Sequence, residues 1–345
     1  MSFPSSPDQL TGAWLGRVLG RRVDDFRVEP LGAGTGIIGL VTRIHLSGPG
    51  APSSIIAKFP SPSADNRAVA ATYDMYGREV VFYRSVAPEI TLRVPACYHA
   101  ELDRDTYDFV LLLEDLGHLR VGDQVQGCTA DEAHRVIQGI ARLHASTWGK
   151  PFAGTLLCHD NAAQRDGMMA GFRLGWPVVK EQFADLLPPG TDFLGEAMPN
   201  AVPGLLARMC RPPMSVAHAD VRLDNVLFDD RAIALVDWQS VCTSAPEQDL
   251  AYFVTQSLPE PVRRAEDWVA VYHDALRREG IDCELAACRQ RFRISALYLL
   301  CYAVVIAGTL DLGNERGRRL GRTLLGNCLG SLAELDAFDL AREMA

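Results

Sequence analysis

The sequence lacks three features that would point to particular classes of protein: a Cys-x-x-Cys pair, an excess of basic residues, and an apolar run of ~20 residues, the length of a membrane-spanning helix. Its 345 residues include 34 Lys and Arg against 43 Asp and Glu, a net charge of −9. Broad electrostatic binding to nucleic acid or to an anionic membrane is therefore not expected. The longest apolar stretch, Ile294 to Leu310, has about 17 residues, and we expect a buried core helix there.

The N-terminus and the cysteines give two further expectations. The first ten residues, MSFPSSPDQL, have no basic start, apolar stretch or cleavage pattern, so we expect a cytoplasmic protein. The nine cysteines are scattered, odd in number and without metal-ligand spacing, and we expect reduced, mostly buried thiols. No fixed-period repeat is present, which excludes solenoids and propellers.

The first third of the chain has the pattern of a β-rich lobe. Residues 26–60 alternate short apolar runs with glycine and proline clusters, which predicts strands joined by tight turns. Apolar side chains then recur every three or four positions from residue 66 to residue 83, which predicts one helix ended by Pro88. A further strand pair is predicted at 96–100 and 107–113.

The remainder is predicted to be largely helical, starting where TADE at 129–132 can cap a helix. One strand pair, at 215–239, interrupts the helical pattern. We therefore expect an α+β protein with two lobes: a small β-rich N-terminal lobe at 1–113 and a larger, mostly helical C-terminal lobe at 114–345.

The strand pair at 215–239 contains the most informative polar residues. HADVRLDN includes His218, Asp220 and Asn225, and VDWQ places Asp237 at the end of an apolar strand. A tight turn near residues 229–231 would bring Asn225 beside Asp237. Two oxygen ligands suit Mg²⁺, and Asp220 would be left to accept a proton, as phosphoryl transfer requires. The alternative is that these side chains only cap turns.

Upstream residues favour phosphoryl transfer. LGAGTGIIG places Gly32, Gly34 and Gly36 between two strands, where backbone amides can approach phosphate oxygens, although glycines there also simply make turns. Lys58 lies in the apolar strand IIAKFP, and Glu79 in the following helix is placed to pair with it and hold it on the phosphates. The alternative for Lys58 is an ammonium that reaches water along its apolar stem.

This order of motifs resembles the superfamily of aminoglycoside phosphotransferases and choline kinases, over about residues 28–330. HADVRLDN, VDWQ and APEQDLAYF are its most specific parts, and the ecdysteroid kinase-like branch is the most similar. The resemblance implies a protein-kinase-like fold with ATP held between the lobes, and adenine against backbone groups near Glu114 and Leu116.

The resemblance also implies a role for each polar residue. Asp220 would be the catalytic base, Asn225 and Asp237 the metal ligands, and Lys58 with Glu79 the pair on the phosphates. His144 and His218 would be hydrogen-bonded core groups, and Asp249 would support the catalytic loop.

The catalytic loop departs from the family pattern at two positions. Ala219 stands where such proteins often have glycine, and we expect a right-handed backbone there, because left-handed alanine costs about 1 kcal/mol. Arg222 replaces an apolar or aromatic residue. We expect it to pair with Asp224; the alternative is that it stabilises the transferring phosphoryl group or an anionic substrate.

The acceptor is the least specified part of the prediction. NERGRRLGR near the C-terminus contains Arg316, Arg318, Arg319 and Arg322 with Glu315 as the one local acid, and we expect a solvated helix face. If any of these arginines reaches the acceptor, an anionic or neutral hydroxyl compound is favoured over a polyamine.

We therefore predict an ATP- and Mg²⁺-dependent enzyme that phosphorylates a hydroxyl group of a small molecule, preferably a neutral, lipophilic or anionic alcohol. The alternatives are an aminoglycoside or other antibiotic phosphotransferase, and a nucleotide-binding pseudokinase. A protein kinase is disfavoured because the sequence has no APE signature ending an activation segment. GTP remains open as a donor.

Overall fold

The structure, a computed structural model, describes residues 3–31, 38–150, 152, 154–309 and 315–345, and these divide into two units. The first unit contains the described residues of 1–89, 93–119 and 236–240, and the second those of 90–92, 120–235 and 241–345. The first is built around a sheet and the second mainly from helices. The predicted α+β composition is confirmed, whereas the lobe limit after residue 113 stays a prediction.

A five-stranded antiparallel sheet forms the centre of the first unit. Its strands are β1 (Asp25–Pro30), β2 (Gly39–Ser47), β3 (Ser54–Pro60), β4 (Cys97–Leu102) and β5 (Phe109–Glu114). They lie in the order β1-β2-β3-β5-β4, so β3 is central and pairs with β2 and β5. The register places Lys58 of β3 opposite Val41 and Leu111. The strands predicted at 26–60, 96–100 and 107–113 are confirmed.

A short helix that the sequence analysis does not predict, α1 (Gly12–Leu19), covers part of this sheet. Thr11 caps it by accepting a hydrogen bond from the backbone N–H of Trp14, at 3.1 Å. Trp14 and Leu15 belong to the same buried cluster as Ile44 and Phe59 of the sheet. The helix is thus held by tertiary burial of one face, which is why eight residues suffice.

The prediction of one helix from residue 66 to residue 83 is wrong. The chain forms α2 (Ala64–Thr72) and α3 (Met75–Val81), followed by a π-helical turn at Phe82–Val86. The break falls at Asp74, whose backbone is left-handed at φ 50°. Its Oδ1 accepts hydrogen bonds from Arg104, at 2.7 Å, and from the Tyr107 hydroxyl, at 3.1 Å. These contacts, together with the tolerance of aspartate for this backbone conformation, end α2 within an otherwise helical pattern.

Helices make up most of the second unit. In chain order they are α4 (Ala130–Thr147), α5 (Ala162–Gln182), α6 (Leu194–Met209), α7 (Glu247–Tyr252), α8 (Glu260–Arg263), α9 (Trp268–Arg278), α10 (Leu285–Thr309), α11 (Glu315–Glu334) and α12 (Leu340–Met344). The helix start predicted at 129–132 is confirmed: Thr129 and Glu132 form a reciprocal capping box.

The longest helix of the described residues, α10, is also the most apolar. By length and composition it is the one described helix that meets the requirements for crossing a membrane, but 67% of its most apolar window is buried within the protein. It packs against α5, α6, α7 and α11. This confirms the predicted core helix, which begins at Leu285 rather than at Ile294.

The prediction of a single strand pair at 215–239 is wrong. The described residues of the second unit form five short strands, of which the second, third and fourth lie within that segment: β6 (Arg120–Val121), β7 (Ser215–Ala217), β8 (Val226–Phe228), β9 (Ile233–Leu235) and β10 (Cys242–Ser244). β8 and β9 form the predicted hairpin, extended by β6, while β7 pairs with β10. β7 takes a later partner because the chain leaves it for the irregular segment 218–225 before it reaches β8.

Replacing Leu300 by alanine is expected to destabilise the second unit. Leu300 is fully buried in α10, so the change leaves a cavity and lowers the free energy of unfolding by about 2–5 kcal/mol. Leu174→Ala in α5 is the matched control, because Leu174 is 69% exposed and should change stability by no more than about 0.5 kcal/mol. Urea unfolding followed by circular dichroism measures both, and equal midpoints would contradict the packing described.

Candidate active site

An ion triad in the first unit is centred on the buried Lys58. Its Nζ donates hydrogen bonds to Glu79 Oε1, at 2.6 Å, and to Asp237 Oδ1, at 2.9 Å. Lys58 is 7% exposed and Glu79 is fully buried, so the ammonium does not reach water along its stem. The structure brings Lys58 and Glu79 together as the sequence predicts; their role on phosphates stays a prediction.

Burial and charge act in opposite directions in this triad. Burial alone lowers the pKa of Lys58, but the carboxylates of Asp237 and Glu79 hold it above its usual value. Burial raises the pKa of Glu79, and the charge of Lys58 opposes that rise. Of the two acids only Asp237 is accessible, with a side chain 33% exposed against 0% for Glu79, so a further cation could approach the triad there.

The position of Glu79 is fixed by residues from a distant part of the chain. The backbone N–H of Trp238 donates to Glu79 Oε1, at 3.3 Å. The indole of Trp238 stacks on Phe82, with ring centroids 3.8 Å apart and planes 8° from parallel. Asp237 itself has a left-handed backbone, with φ 66°. These contacts tie the segment 236–240 to the helix that carries Glu79.

In the second unit, the loop after β7 is held by the buried carboxylate of Asp249. Asp249 accepts hydrogen bonds from the backbone N–H groups of His218 and Ala219, both at 2.8 Å, and lies 3.2 Å from His144 Nε2. His144 Nδ1 is in turn 2.6 Å from the Tyr272 hydroxyl. The predicted support by Asp249 is confirmed, and both histidines are buried, hydrogen-bonded core groups as predicted.

The pKa of Asp249 shows that these contacts outweigh its burial. Burial alone raises the pKa of this carboxyl, but the hydrogen bond and charge of His144, with His218, hold it below its usual value. Ala219, one of the two residues whose backbone N–H donates to Asp249, has a left-handed backbone with φ 63°. The expectation of a right-handed backbone there is therefore wrong. The two backbone hydrogen bonds to Asp249 therefore maintain a conformation that costs alanine about 1–2 kcal/mol.

Asp220 lies at the end of this strained segment and has three polar neighbours. Asn225 Nδ2 donates to the backbone carbonyl of Asp220 and to its Oδ2, both at 3.0 Å. Burial and then the negative charge of Asp220 raise the pKa of the neighbouring Tyr252, and Arg222 Nε is 3.8 Å from Asp220 Oδ2. The side chain of Asp220 is 25% exposed, so it is held in place and still accessible to a substrate.

Arg222 lies beside Asp220 rather than its expected partner: its Nε is 3.8 Å from Asp220 Oδ2, while Asp224 lies 3.5 Å from Arg316. The arginines near the C-terminus, Arg316, Arg318, Arg319 and Arg322, are exposed, as expected for a solvated helix face. Acids distant in sequence pair with two of them: Asp123 is 3.3 Å from Arg316, and Asp185 contacts Arg322.

A metal ion at this site would rely on oxygen ligands. Among the described residues, no group of three or more His, Cys, Asp or Glu side chains is arranged to hold a metal ion. Asn225 uses its Nδ2 on Asp220, which leaves the amide oxygen as the atom directed elsewhere. An amide oxygen of this kind, and a carboxylate such as that of Asp237 in the first unit, are each hard ligands that Mg²⁺ takes alongside water and phosphate. The donor chemistry therefore fits Mg²⁺.

The residues predicted to contact the nucleotide are only partly described. Gly32, Gly34 and Gly36 lie outside the described residues. At the end of β5, the backbone N–H of Glu114 donates to Ala96 O, at 2.8 Å, and its carboxylate forms a two-pronged ion pair with Arg93.

Leu116 follows two residues later. Its carbonyl accepts the backbone N–H of Leu119, at 2.9 Å. Contact of adenine with backbone groups near Glu114 and Leu116 stays a prediction.

One buried residue that positions the loop 218–225 is missed by the sequence analysis. Gln124 is fully buried, and its Oε1 accepts hydrogen bonds from the backbone N–H of Leu223, at 2.7 Å, and from Ser257 Oγ, at 3.0 Å. Its Nε2 donates to Gln256 O, at 2.8 Å. Leu223 lies between Asp220 and Asn225. Gln124 belongs to no motif, so only the tertiary structure reveals this contact.

Comparison with known proteins identifies the family. The model of the phosphotransferase enzyme family (APH) matches residues 41–282, more than half of the chain. The chain belongs to the phosphotransferase enzyme family. Its activity is accordingly that of a small-molecule kinase with a hydroxyl acceptor, and the resemblance stated from the motifs is confirmed at the level of the superfamily. The ecdysteroid kinase-like branch stays a prediction.

Solved structures show that the phosphotransferase has a kinase-like fold. An ethanolamine kinase from Plasmodium vivax aligns with a TM-score of 0.56 at 9% identity, covering 90% of this chain and 84% of that one. The gentamicin complex of APH(2")-IIa aligns with a TM-score of 0.52 at 14% identity, covering 94% of this chain and 96% of that one. A choline/ethanolamine kinase family protein from Mesorhizobium loti aligns with a TM-score of 0.50 at 17% identity, covering 92% of this chain and 93% of that one. The sequence matches none of the curated proteins compared with it.

Ala219→Gly is expected to change the stability of the phosphotransferase by less than about 1 kcal/mol. Relief of the left-handed strain, about 1–2 kcal/mol, roughly offsets the entropic cost of glycine, about 0.5–1 kcal/mol, and the loss of one buried methyl group, about 0.8 kcal/mol. Ala217→Gly in β7 is the matched control: Ala217 is equally buried but has no such strain, so this variant should lose about 1 kcal/mol or more. Equal losses in urea unfolding would contradict the strain.

Asp249→Asn is expected to change how stability depends on pH. Because the pKa of Asp249 is lowered in the folded state, its stabilisation is present above the unfolded carboxyl pKa of about 3.9 and is lost as pH falls through the lower folded value. The variant should be less stable at neutral pH by about 1–3 kcal/mol, with a smaller further loss in acid.

Thermal unfolding at pH values from neutral to acidic measures this difference. Asp339→Asn is the control in the same unit, because the Asp339 side chain is 70% exposed. A constant gap between wild type and Asp249→Asn at every pH would contradict the lowered pKa.

Proposed function

We propose that this phosphotransferase moves the γ-phosphoryl group of ATP, with Mg²⁺, to a hydroxyl group of a small molecule. The observation that supports this most is the triad in which Lys58 Nζ contacts both Glu79 and Asp237. A lysine kept charged in a buried strand and fixed by two acids is suited to hold phosphate oxygens. A cytoplasmic location, expected from the sequence, would supply ATP.

In the proposed reaction, Lys58 binds phosphate oxygens of the nucleotide and Glu79 fixes its position. The backbone N–H of Trp238 in turn holds Glu79 in place. Because both acids hold Lys58, a change at Glu79 or at Asp237 should affect nucleotide binding. Asp237 and the amide oxygen of Asn225 would hold Mg²⁺. Bound Mg²⁺ supplies charge neutralisation on the phosphates.

Asp220 is proposed as the base that receives the proton of the acceptor hydroxyl. Asn225 donates a hydrogen bond to its carboxylate, which fixes its orientation. Its partial exposure allows a hydroxyl group to approach within hydrogen-bond distance. The Arg222 guanidinium beside it favours a neutral or anionic acceptor over a polycation.

The acceptor class can be tested by turnover with Mg²⁺ and either ATP or GTP across hydroxyl compounds. The panel comprises sterols, hydroxyacyl thioesters, macrolides, choline, ethanolamine and aminoglycosides. We expect stimulation by a neutral, lipophilic or anionic alcohol. Stimulation only by aminoglycosides would overturn the proposed acceptor class but leave phosphoryl transfer intact. Nucleotide binding with no transfer to any compound would favour the pseudokinase alternative.

Asp220→Asn is expected to lower kcat by about 10²–10⁴-fold while ATP still binds, because the amide cannot accept the proton. Asp230→Asn is the matched control: Asp230 is exposed in the turn between β8 and β9 and should retain full turnover. Steady-state kinetics and calorimetric titration with ATP measure the two effects. Unchanged turnover in Asp220→Asn would remove Asp220 from the proposed role.

A further inference from the structure

Asp115 is a buried carboxylate at the end of the central sheet. It directly follows β5 and lies between Glu114 and Leu116, the residues near which the nucleotide base is predicted to bind. Its side chain is 9% exposed. Asp115 Oδ2 accepts hydrogen bonds from Arg43 Nε of β2, at 2.6 Å, and from Ser54 Oγ of β3, at 2.7 Å. The carboxylate therefore ties the residues that follow β5 to two other strands of the sheet.

The second oxygen of Asp115 holds the turn that comes next. Oδ1 accepts the backbone N–H of Gly117, at 2.9 Å, in the pattern of an aspartate that bonds to the backbone two residues later. Arg43 Nη2 lies 3.4 Å from the same oxygen. A Cβ atom on Gly117 would lie 2.7 Å from Arg43 Nη2 and 2.9 Å from Asp115 Oδ1, so glycine lets the backbone pack directly against the ion pair.

Glu114 holds the same segment from the other side of β5. Its carboxylate, paired with Arg93, also accepts the backbone N–H of Ala96, at 3.0 Å. Ala96 directly precedes β4, and β5 lies between β3 and β4 in the sheet. Residues 114–117 are thus held towards β4 by Glu114 and towards β3 by Asp115, and all of these residues belong to the first unit.

Asp115 is the more deeply buried of these two anchors, since the side chain of Glu114 is 26% exposed. Burial raises the pKa of Asp115, but the hydrogen bond from Arg43 and those from the other two donors hold it below its usual value, so the carboxyl is ionised at neutral pH. Both of its oxygens accept hydrogen bonds. An asparagine has one acceptor oxygen, and its NH₂ group would face a donor, so it could not satisfy Arg43 and Gly117 together.

We propose that Asp115 is a positioning residue for the base of the donor nucleotide. It acts through the backbone of residues 114–117, which it holds against β2 and β3, and it need not touch the nucleotide. Backbone groups bind a base only where they lie within hydrogen-bond distance of it, so release of this segment should weaken nucleotide binding. The inference rests on the proposed function, because it takes the base to lie against this segment.

Asp108, at the other end of β5, is the matched control. It directly precedes the strand, its side chain is 8% exposed, and it pairs with the partly exposed Arg67, at 2.8 Å. The six residues of β5 place Asp108 about 20 Å from Asp115 along the strand. Neutralising Asp108 should therefore lower stability to a similar extent without moving residues 114–117.

The first experiment compares ATP binding by the two aspartate variants. Calorimetric titration with ATP and Mg²⁺ should give a Kd at least about tenfold above that of the wild type for Asp115→Asn, which loses a charge-assisted hydrogen bond, and within about twofold for Asp108→Asn. Urea unfolding should lower the midpoints of both variants similarly. Equal Kd values in the two variants would overturn the inference. A wild type that binds no ATP would overturn the proposed function with it.

A milder pair of variants tests the same contact if Asp115→Asn does not fold. Arg43→Gln removes one partner of Asp115 from a position that is 26% exposed, and Arg67→Gln is its control at a position that is 38% exposed. The Kd for ATP should rise by about threefold in Arg43→Gln and stay at the wild-type value in Arg67→Gln. The same Kd in both arginine variants would count against the role of Asp115.

The second experiment uses amide hydrogen exchange with mass spectrometry to locate the effect. In the wild type, ATP should slow exchange in the peptide that covers residues 114–119. Without ATP, this peptide should exchange faster in Asp115→Asn than in Asp108→Asn, because the segment has lost an anchor. ATP binding that leaves the peptide unprotected would overturn the inference while leaving phosphoryl transfer intact.

Discussion

The conformation of the loop 218–225 depends on its hydrogen bonds to the buried carboxylate of Asp249. Asp249 lies in the short helix after β10 and accepts two backbone hydrogen bonds from the segment that leaves β7. Without those acceptors, two backbone N–H groups would be buried unpaired and Ala219 would have no compensation for its left-handed backbone. Asp249 therefore determines the orientation of Asp220 indirectly, through the backbone of His218 and Ala219. It needs no contact with any substrate to do so.

The candidate site could be chosen in part from the sequence. Lys58, Glu79, Asp220 and Asn225 stand out because each residue type suits one task in phosphoryl transfer and they follow one another in a recognisable order. The expected contact of Lys58 with Glu79 is present, whereas Asn225, expected beside Asp237, donates to Asp220. The same reasoning does not find Gln124, because a buried amide bonded to a loop backbone has no fixed spacing from the residues it supports.

The wrong predictions have physical causes that cannot be seen in the spacing of apolar residues along the sequence. The helix at 66–83 is broken at Asp74 by contacts with Arg104 and Tyr107, which lie about thirty residues later in the chain. β7 pairs with β10, which lies beyond residues 215–239, because the pairing of a strand depends on the path the chain takes after it. Ala219 is strained for a similar reason: its conformation is set by Asp249 and not by its own preference.

The return of residues 236–240 to the first unit has a consequence for how the protein is made. Synthesis proceeds from the N-terminus, so residues 3–119 leave the ribosome well before Asp237 and Trp238 exist. Until then Lys58 has one carboxylate instead of two, and the exposed face of Phe82 has no indole to cover it. The first unit is thus completed only after residues 120–235 of the second unit have been synthesised, when Asp237 adds a second carboxylate to Lys58 and Trp238 covers Phe82.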